Sequence, residues 1–501
     1  MAAPPPSFLV IMADQLAASW LPVYGHPVVQ APHLAALADG AAVFDSAYCA
    51  YPLCGPSRAA MLTGRFASNV GVYDNAAELP ATTPTVVHAL RAAGYHTAVA
   101  GKMHFVGPDQ LHGFEERLTT DIYPADVDWT PDWSRPLEEP LPWYHTMESV
   151  LNPGVTAASM QTDYDQEVAF VAGRKLYDIA RHRPDQPFLL FASFTNPHDP
   201  WEIPHRFWSR YTRGEIPDPV VGSLPLDQAD PHSRRLRAMC RVDAAGLTAE
   251  QIRRARHSYF AAISYLDERI GELLGALRDS GLQERTTVLF CADHGEMLGE
   301  RGLWYKMSFF EQSARVPLIV RDFTGRVGAR RVPGPVSLLD VAPTLLQLAG
   351  LNADAIAGTG DGESLLSARV RPVISEYHAE GVQAPSAMIR SGNEKMIVSL
   401  QDPDLLFDLA ADPLELQSLH AEEPVLREAL ESQLNLRDIG RRVRASQRER
   451  QLISAALHRG VAPAWNHQPV VDASTQYVRN RDDLYALQRR ARLDSGDPDH
   501  L

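Results

Sequence analysis

The chain has 501 residues, with 47 Lys plus Arg against 62 Asp plus Glu and a formal charge of -15 at neutral pH, which argues against a general nucleic-acid binder. Apolar residues make up 45% and charged residues 22%, a globular composition that excludes collagen, coiled coil and wholesale disorder. Four cysteines, Cys49, Cys54, Cys240 and Cys291, are too few and too scattered for a disulfide framework, and none belongs to a Cys-x-x-Cys zinc pair.

Residues 1–6 carry no basic leader, and the apolar run at 8–12 is too short for a signal core or a membrane span. A cytoplasmic protein with no membrane partner is expected. That run reads as the first buried strand, and similar runs follow at 96–100, 187–194 and 286–291. Helical patterns lie between them, at 84–93 with Gly94 as its stop and at 249–280 closed by Gly281. The alternation predicts an α/β fold with a mainly parallel sheet and helices on both faces. From residue 374 onward shorter strand-like pieces, 387–389 and 395–400, flank Ser391-Gly392-Asn393 and predict a small α+β subdomain. A charged helix follows at 422–457, basic over 441–450 and read as a solvated face. The tail from 461 to 501 lacks periodicity but contains Trp465, Tyr477 and Tyr485, so it is expected to dock on something. The resulting division is a catalytic domain at 1–370, a subdomain at 371–440 and a tail at 441–501.

Polar residues follow every predicted strand: Asp14 and Gln15, Lys102 and His104, Asn196 and His198, Asp293 and His294. Ligands of open α/β sheets bind outside the carboxyl ends of the strands, so these groups are expected to converge on one pocket. Residues 54–65 read Cys-Gly-Pro-Ser-Arg-Ala-Ala-Met-Leu-Thr-Gly-Arg, a cysteine entering a helix that ends near Gly64. The helix N-terminus favours negative charge, and Arg58 one turn on can pair with an anionic oxygen.

This segment resembles the signature of the type I sulfatases, Cys-x-Pro-Ser-Arg followed by Leu-Thr-Gly-Arg, at Cys54, Pro56, Ser57, Arg58, Leu62, Thr63, Gly64 and Arg65. The blocks at 12–15, 71–75, 101–114, 117–124 and 129–132, with pieces at 196–200, 292–296 and 407–409, are similar to the choline-sulfatase branch of that family. The resemblance implies an alkaline-phosphatase-like sandwich and conversion of Cys54 to formylglycine by a separate formylglycine-generating enzyme. It also implies a divalent metal held by Asp14, Gln15, Asp293 and His294. Such an oxygen-rich shell with one imidazole suits calcium, manganese or magnesium rather than structural zinc. Sulfatases usually carry paired acids where this chain has Asp14-Gln15, and one carboxylate fewer favours manganese.

By the same resemblance Arg58 and Lys102 hold formylglycine and sulfate oxygens, His198 and Lys306 protonate the leaving alcohol, and His104 is the base for breakdown of the sulfated intermediate. Asn75 hydrogen-bonds the substrate. Between residues 123 and 145 lie Tyr123, Trp129, Trp133, Trp143, Tyr144 and His145, and aromatic faces attract quaternary ammonium. The expected reaction is hydrolysis of choline-O-sulfate, with Trp129 and His145 on the substrate. Tail carboxylates, Asp497 or Asp499, are candidates to reach a neighbouring subunit of a homo-oligomer. Two other readings stay open: a phosphonate monoester or phosphodiester hydrolase of the same superfamily, and a non-catalytic homologue whose Cys54 is never converted.

Overall fold

A computed structural model describes residues 4–123, 127–137, 139–352, 360–367, 371–419, 423–457 and 488. Seven main strands build one large sheet: β1 (Ser7–Ala13), β2 (Ala42–Tyr48), β3 (His96–Gly101), β4 (Phe188–Ser193), β5 (Thr286–Ala292), β6 (Leu318–Asp322) and β7 (Arg330–Ser337). Their order across the sheet is β7-β2-β6-β5-β1-β4-β3, with the short strand Glu116–Arg117 outside β3 and Arg315–Val316 paired to β2. The central block β5, β1, β4 and β3 is parallel throughout, whereas β6 runs antiparallel to both β5 and β2. Every residue of β1, β3, β4 and β5 is buried, which is why these strands read as continuous apolar runs rather than alternating ones.

The helices that matter for the site are α1 (Cys54–Thr63), α2 (Val86–Ala92), α3 (Met160–His182), α4 (Ala249–Asp279), α5 (Val341–Leu348), α6 (Pro424–Gln433) and α7 (Leu436–Leu457). Helix α1 is buried along its whole length and ends in Gly64 at φ 65°, the left-handed cap that glycine adopts without steric cost. Helices α1, α2 and α5 pack on one another, as do α3 and α4. The second sheet is a four-stranded antiparallel meander, β8 (Val373–Tyr377), β9 (Ser386–Ser391), β10 (Glu394–Ser399) and β11 (Leu405–Asp408). It shares one hydrophobic core with the large sheet.

The four strands expected from the apolar runs are present to within two residues at each end. Strand β7 was hidden because Pro333-Gly334-Pro335 interrupts its pattern. It tolerates them as an edge strand whose register shifts between Val332 and Pro335. The single helix expected over 422–457 is two, broken at Leu434 and restarted where Asn435 caps the Asp438 N–H. No helix among the described residues is long and apolar enough to cross a membrane. Apart from Gln488, the tail calls at 461–501, Asp497 and Asp499 included, lie outside the described residues.

Buried histidines are expected to make the fold acid-sensitive, and His112 is one that lies away from the site. His112 is fully enclosed, its ring 4.4 Å from Phe105 and its Nδ1 3.3 Å from Asp109. Burial outweighs the Asp109 charge and pushes its pKa down to about 4. Between that value and the unfolded value the unfolded chain binds the extra proton, so the stability His112 contributes at neutral pH is lost as pH falls. At pH 5 the loss is about 2 kcal/mol, at roughly 1.4 kcal/mol per pKa unit. His112→Phe is expected to shrink the fall in Tm between pH 7 and pH 5; an unchanged fall would assign the acid sensitivity elsewhere.

Candidate active site

Because β5, β1, β4 and β3 are mutually parallel, their carboxyl ends open on the same edge of the sheet. Asp293 and His294 follow β5, Asp14 and Gln15 follow β1, His198 follows β4, and Lys102 and His104 follow β3. Gly101 at φ 101° permits the last of these, since a Cβ there would lie 1.9 Å from the Ser193 carbonyl oxygen. Cys54, the first residue of α1, completes the group with only 2% of its surface exposed.

One ligand atom from each of Asp14, Cys54, Asp293 and His294 lies within 4.8 Å of the others. The Cys54 Sγ is 3.1 Å from His294 Nε2 and 3.8 Å from Asp14 Oδ1. Both carboxylates turn their Oδ2 atoms towards cations. Arg58 Nε donates to Asp293 Oδ2 at 2.8 Å, Arg58 Nη2 approaches Asp14 Oδ2 at 3.3 Å, and Lys102 Nζ pairs with Asp14 Oδ2. The Oδ1 atom of Asp14 is thereby left towards Cys54 and His294. Burial alone would raise the Asp14 carboxyl, but the Lys102 and Arg58 charges hold it well below the usual range. Two carboxylates and one imidazole, fully buried around a common point, suit a hard divalent ion.

Gln15 stands between this group and Lys306. Its backbone N–H donates to Asp293 Oδ1 at 3.1 Å, its Nε2 donates to Glu296 Oε2 at 2.6 Å, and its Oε1 accepts from Lys306 Nζ at 2.6 Å. The carboxamide oxygen keeps a second lone pair for an ion. Lys306 Nζ also lies 3.1 Å from both His145 Nε2 and His198 Nε2, so three acceptors surround its three N–H bonds. Glu296 Oε1 accepts from the Tyr305 N–H, pinning the backbone beside Lys306.

His198 Nδ1 meets the Asp199 carbonyl oxygen at 2.6 Å, which places the proton on Nδ1 and turns Nε2 into an acceptor for Lys306. Burial and Lys306 push the pKa of His198 well below its ordinary value. His104 is pushed down to about 3, by burial first and Lys102 next; its Nε2 faces the Asn75 carbonyl at 3.3 Å and its Nδ1 has no partner. Both imidazoles are therefore neutral at neutral pH. The Cys54 thiol moves the other way, up to about 12, through burial and the Asp14 charge. The helix N-terminus does not offset those two effects, so the cysteine as such is a poor nucleophile.

Gln15, His104, Tyr305 and Met307 all have positive φ, between 60° and 73°. This left-handed backbone costs a non-glycine residue about 1 kcal/mol or more, and its concentration here shows how tightly the surrounding contacts determine the site.

A cavity of about 110 Å³ opens over these groups, lined by Cys54, Asn75, Lys102, His104, His198 and Lys306 at one part of its wall. Tyr123, Trp129, Trp143, His145, Glu380 and Gln488 also line it. Among the described residues, the structure thus brings together every residue expected above to be catalytic, metal-binding or substrate-binding. It diverts three neighbours: Asn196 donates to Asp165 at 2.8 Å, Trp133 donates its Nε1 to the Ala379 carbonyl, and Tyr144 is core. Sequence reasoning missed Glu380 and Gln488. Glu380, in the segment after β8, is 2% exposed, its Oε2 has no partner, and burial raises its pKa to about 7. Gln488 donates no recognisable pattern to the sequence; it reaches the wall beside Tyr123, to which it hydrogen-bonds.

The family model for sulfatases matches residues 6–351, which is more than half of the chain and includes every residue expected above to hold a metal or move a proton. This chain belongs to the sulfatase family. A second model, the choline sulfatase enzyme C terminal, matches residues 441–493 of this sulfatase. It is 45% identical to the choline-sulfatase of Rhizobium meliloti (strain 1021), over 98% of this chain and 99% of that protein. It is 26% identical to an arylsulfatase of Clostridium perfringens, over 83% of this chain and 90% of that one. Among solved structures, the phosphonate monoester hydrolase of Agrobacterium radiobacter superposes with a TM-score of 0.64 at 24% identity, covering 90% of this chain and 96% of that chain. A putative sulfatase from Bacteroides thetaiotaomicron superposes at 0.65 with 21% identity, covering 91% and 94%. At such identities the structures establish the fold, the expected alkaline-phosphatase-like sandwich. The sulfatase is a sulfuric ester hydrolase, and its family works with a divalent metal ion and formylglycine.

Proposed function

We propose that this sulfatase hydrolyses choline-O-sulfate to choline and inorganic sulfate. The observation that carries the reading is Glu380, a buried carboxyl with an unpartnered oxygen in a cavity also lined by Trp129, Trp143 and Tyr123. A buried carboxylate is costly unless a cation meets it, and tryptophan and tyrosine faces attract the same charge. A trimethylammonium head supplies that charge without needing a hydrogen-bond acceptor, and its arrival favours the ionised form of Glu380. The likeness to a choline-sulfatase over almost the whole chain supports the same substrate.

Residue 54, converted to formylglycine, would supply an oxygen nucleophile as its hydrate, and a divalent ion held by Asp14, Gln15, Asp293 and His294 would lower that hydroxyl's pKa. Arg58 and Lys102 neutralise the carboxylates around residue 54 and present positive charge to the sulfate oxygens, which would otherwise repel an incoming oxygen. Lys306 holds a proton against His198 Nε2, from which it reaches the departing alcohol oxygen, while the Asp199 carbonyl keeps the imidazole in the tautomer that receives it. His104, neutral and with Nδ1 free, accepts the proton whose loss releases sulfate; an anionic sulfate beside Lys102 offsets the charge that depresses His104. Asn75 holds the Gly55 N–H through its Oδ1 at 2.9 Å, fixing the entry to α1. The same proposal includes calcium, manganese or magnesium as the ion, a formylglycine-generating enzyme for maturation, the division at 370 and 440, homo-oligomerisation through the tail and a cytoplasmic location.

The test compares kcat/KM for choline-O-sulfate with that for its neutral carbon isostere, in which tert-butyl replaces trimethylammonium, and with a phosphonate monoester. A preference of about 100-fold for the cation is expected from the combined aromatic and carboxylate contacts, and Glu380→Gln should erase most of it while sparing the isostere. Equal rates on cation and isostere would remove choline-O-sulfate as the substrate, and a preference for the phosphonate would replace it.

A further inference from the structure

The geometry points to helix α7 as a brace that sets the dimensions of the substrate cavity, with Arg450 as its positioning residue. Arg450 is 7% exposed, and its guanidinium forks onto Asp74, Nη1 to Oδ1 at 2.5 Å and Nη2 to Oδ2 at 2.7 Å. Its Nη1 also donates to Thr130 Oγ1 at 3.1 Å. Asp74 immediately precedes Asn75, which holds the Gly55 N–H beside the nucleophile position and meets His104 through its carbonyl. Thr130 immediately follows Trp129, one of the aromatic residues of the wall. One planar, bidentate group therefore ties the loop at the reacting end to the loop that carries an aromatic face.

Other residues of α7 tighten the same two loops. Ser454 Oγ donates to Asp128 Oδ1 at 2.6 Å, the Trp133 N–H donates to Gln447 Oε1 at 3.2 Å, and Arg442 donates to the Ser68 carbonyl at 2.5 Å. These loops have little regular structure of their own beyond the single turns Ala67–Asn69 and Val127–Trp129, so their separation depends on what lies behind them. Arg442, Gln447, Arg450 and Ser454 do not line the cavity and act only through residues that do. All four fall within 441–493, the stretch matched by the choline sulfatase C-terminal model, and outside 6–351, the stretch matched by the general sulfatase model. Apart from Gln488, the residues that line the cavity for the alcohol thus lie outside the C-terminal stretch, which supplies the bonds that hold two of their loops in place. The inference rests on the choline-O-sulfate reading for the identity of that alcohol.

The experiment uses the full-length, converted enzyme. Arg450→Lys keeps the charge on Asp74 but loses the fork and the Thr130 bond; the double variant Asp74→Asn, Arg450→Gln removes both charges and leaves none buried alone. In both, KM for choline-O-sulfate is expected to rise about tenfold with kcat within about threefold, and the preference over the neutral isostere to narrow. Amide hydrogen exchange should quicken in peptides covering 72–77 and 127–131 while β1 and β5 keep their protection. Wild-type KM and wild-type exchange in both variants would overturn the brace, as would equal losses on both esters together with faster exchange in β1 and β5. A wild-type enzyme that does not distinguish cation from isostere would instead overturn the substrate reading, and the brace would then be decided by the exchange data alone.

Discussion

Turnover is expected to extrapolate to zero as the formylglycine fraction at residue 54 goes to zero. The thiol of Cys54 is pushed up to about 12 by burial and by Asp14, so at pH 8 only about one molecule in 10⁴ carries a thiolate, one decade per pKa unit. Sulfur so protonated does not attack a sulfate ester, whose own oxygens repel nucleophiles. Protein made with graded amounts of the maturation enzyme, with conversion read by mass spectrometry of the peptide bearing residue 54, should give kcat/KM proportional to conversion. Unconverted protein should also resist alkylation of Cys54 at that pH. A positive intercept would mean that the thiol itself turns over substrate. A conversion of zero in every preparation would instead return the chain to a binding role.

Lys102→Ala is expected to lower kcat/KM by roughly 10²–10³-fold, the usual effect of deleting one preorganised charge donor at a reacting centre. Lys102 Nζ pairs with Asp14 and stands 3.7 Å from the Cys54 sulfur, fully buried. Without it, Asp14 and Asp293 share Arg58 as their buried cation partner at that centre, and the sulfate oxygens lose one of two positive contacts. Because the charge matters most when sulfate oxygens accumulate charge, the loss should fall on kcat as well as KM. Lys102→Arg restores the charge but not the reach into the space beside Asp14, and should recover little. Steady-state kinetics on fully converted protein check this, and wild-type kcat in Lys102→Ala would remove the residue from the chemistry.

The convergence of Asp14, Lys102, His198 and Asp293 was legible because these residues sit at strand ends. A buried parallel strand announces itself as an apolar run, and the polar residues after it have few places to go other than the shared edge of the sheet. Asp14, Lys102, His198 and Asp293 were readable in that way, and Cys54 through the signature around it. The rest depends on contacts between distant segments. Glu380 follows a strand of the second sheet and carries no motif; only packing of that sheet against the first brings it to the cavity. The Arg450–Asp74 pair joins residues 376 positions apart, and in the sequence Arg450 belongs to a basic helical stretch indistinguishable from a solvated surface. Strand β7 was obscured by prolines that an edge position tolerates, and helix α3 by its mixed polar composition. Asn196, which shared the strand-end pattern, was drawn off by Asp165, a partner with no sequence signal.

The burial of α1 has a bearing on when the protein can mature. Cys54 lies on a helix enclosed along its whole length, so the segment around it is out of an oxidising enzyme's grasp once the domain has closed, even though the cavity admits a small substrate. Closure waits on β5, which pairs with β1 from the far side of the chain. Roughly 230 residues separate Cys54 from that strand, and synthesis at about 5–20 residues per second leaves on the order of ten to fifty seconds in which the segment is exposed. The proposed conversion of residue 54 is therefore a race between a modifying enzyme and the ribosome. Conditions that slow elongation between these two points should raise the active fraction of the product, with no change in the sequence of the protein.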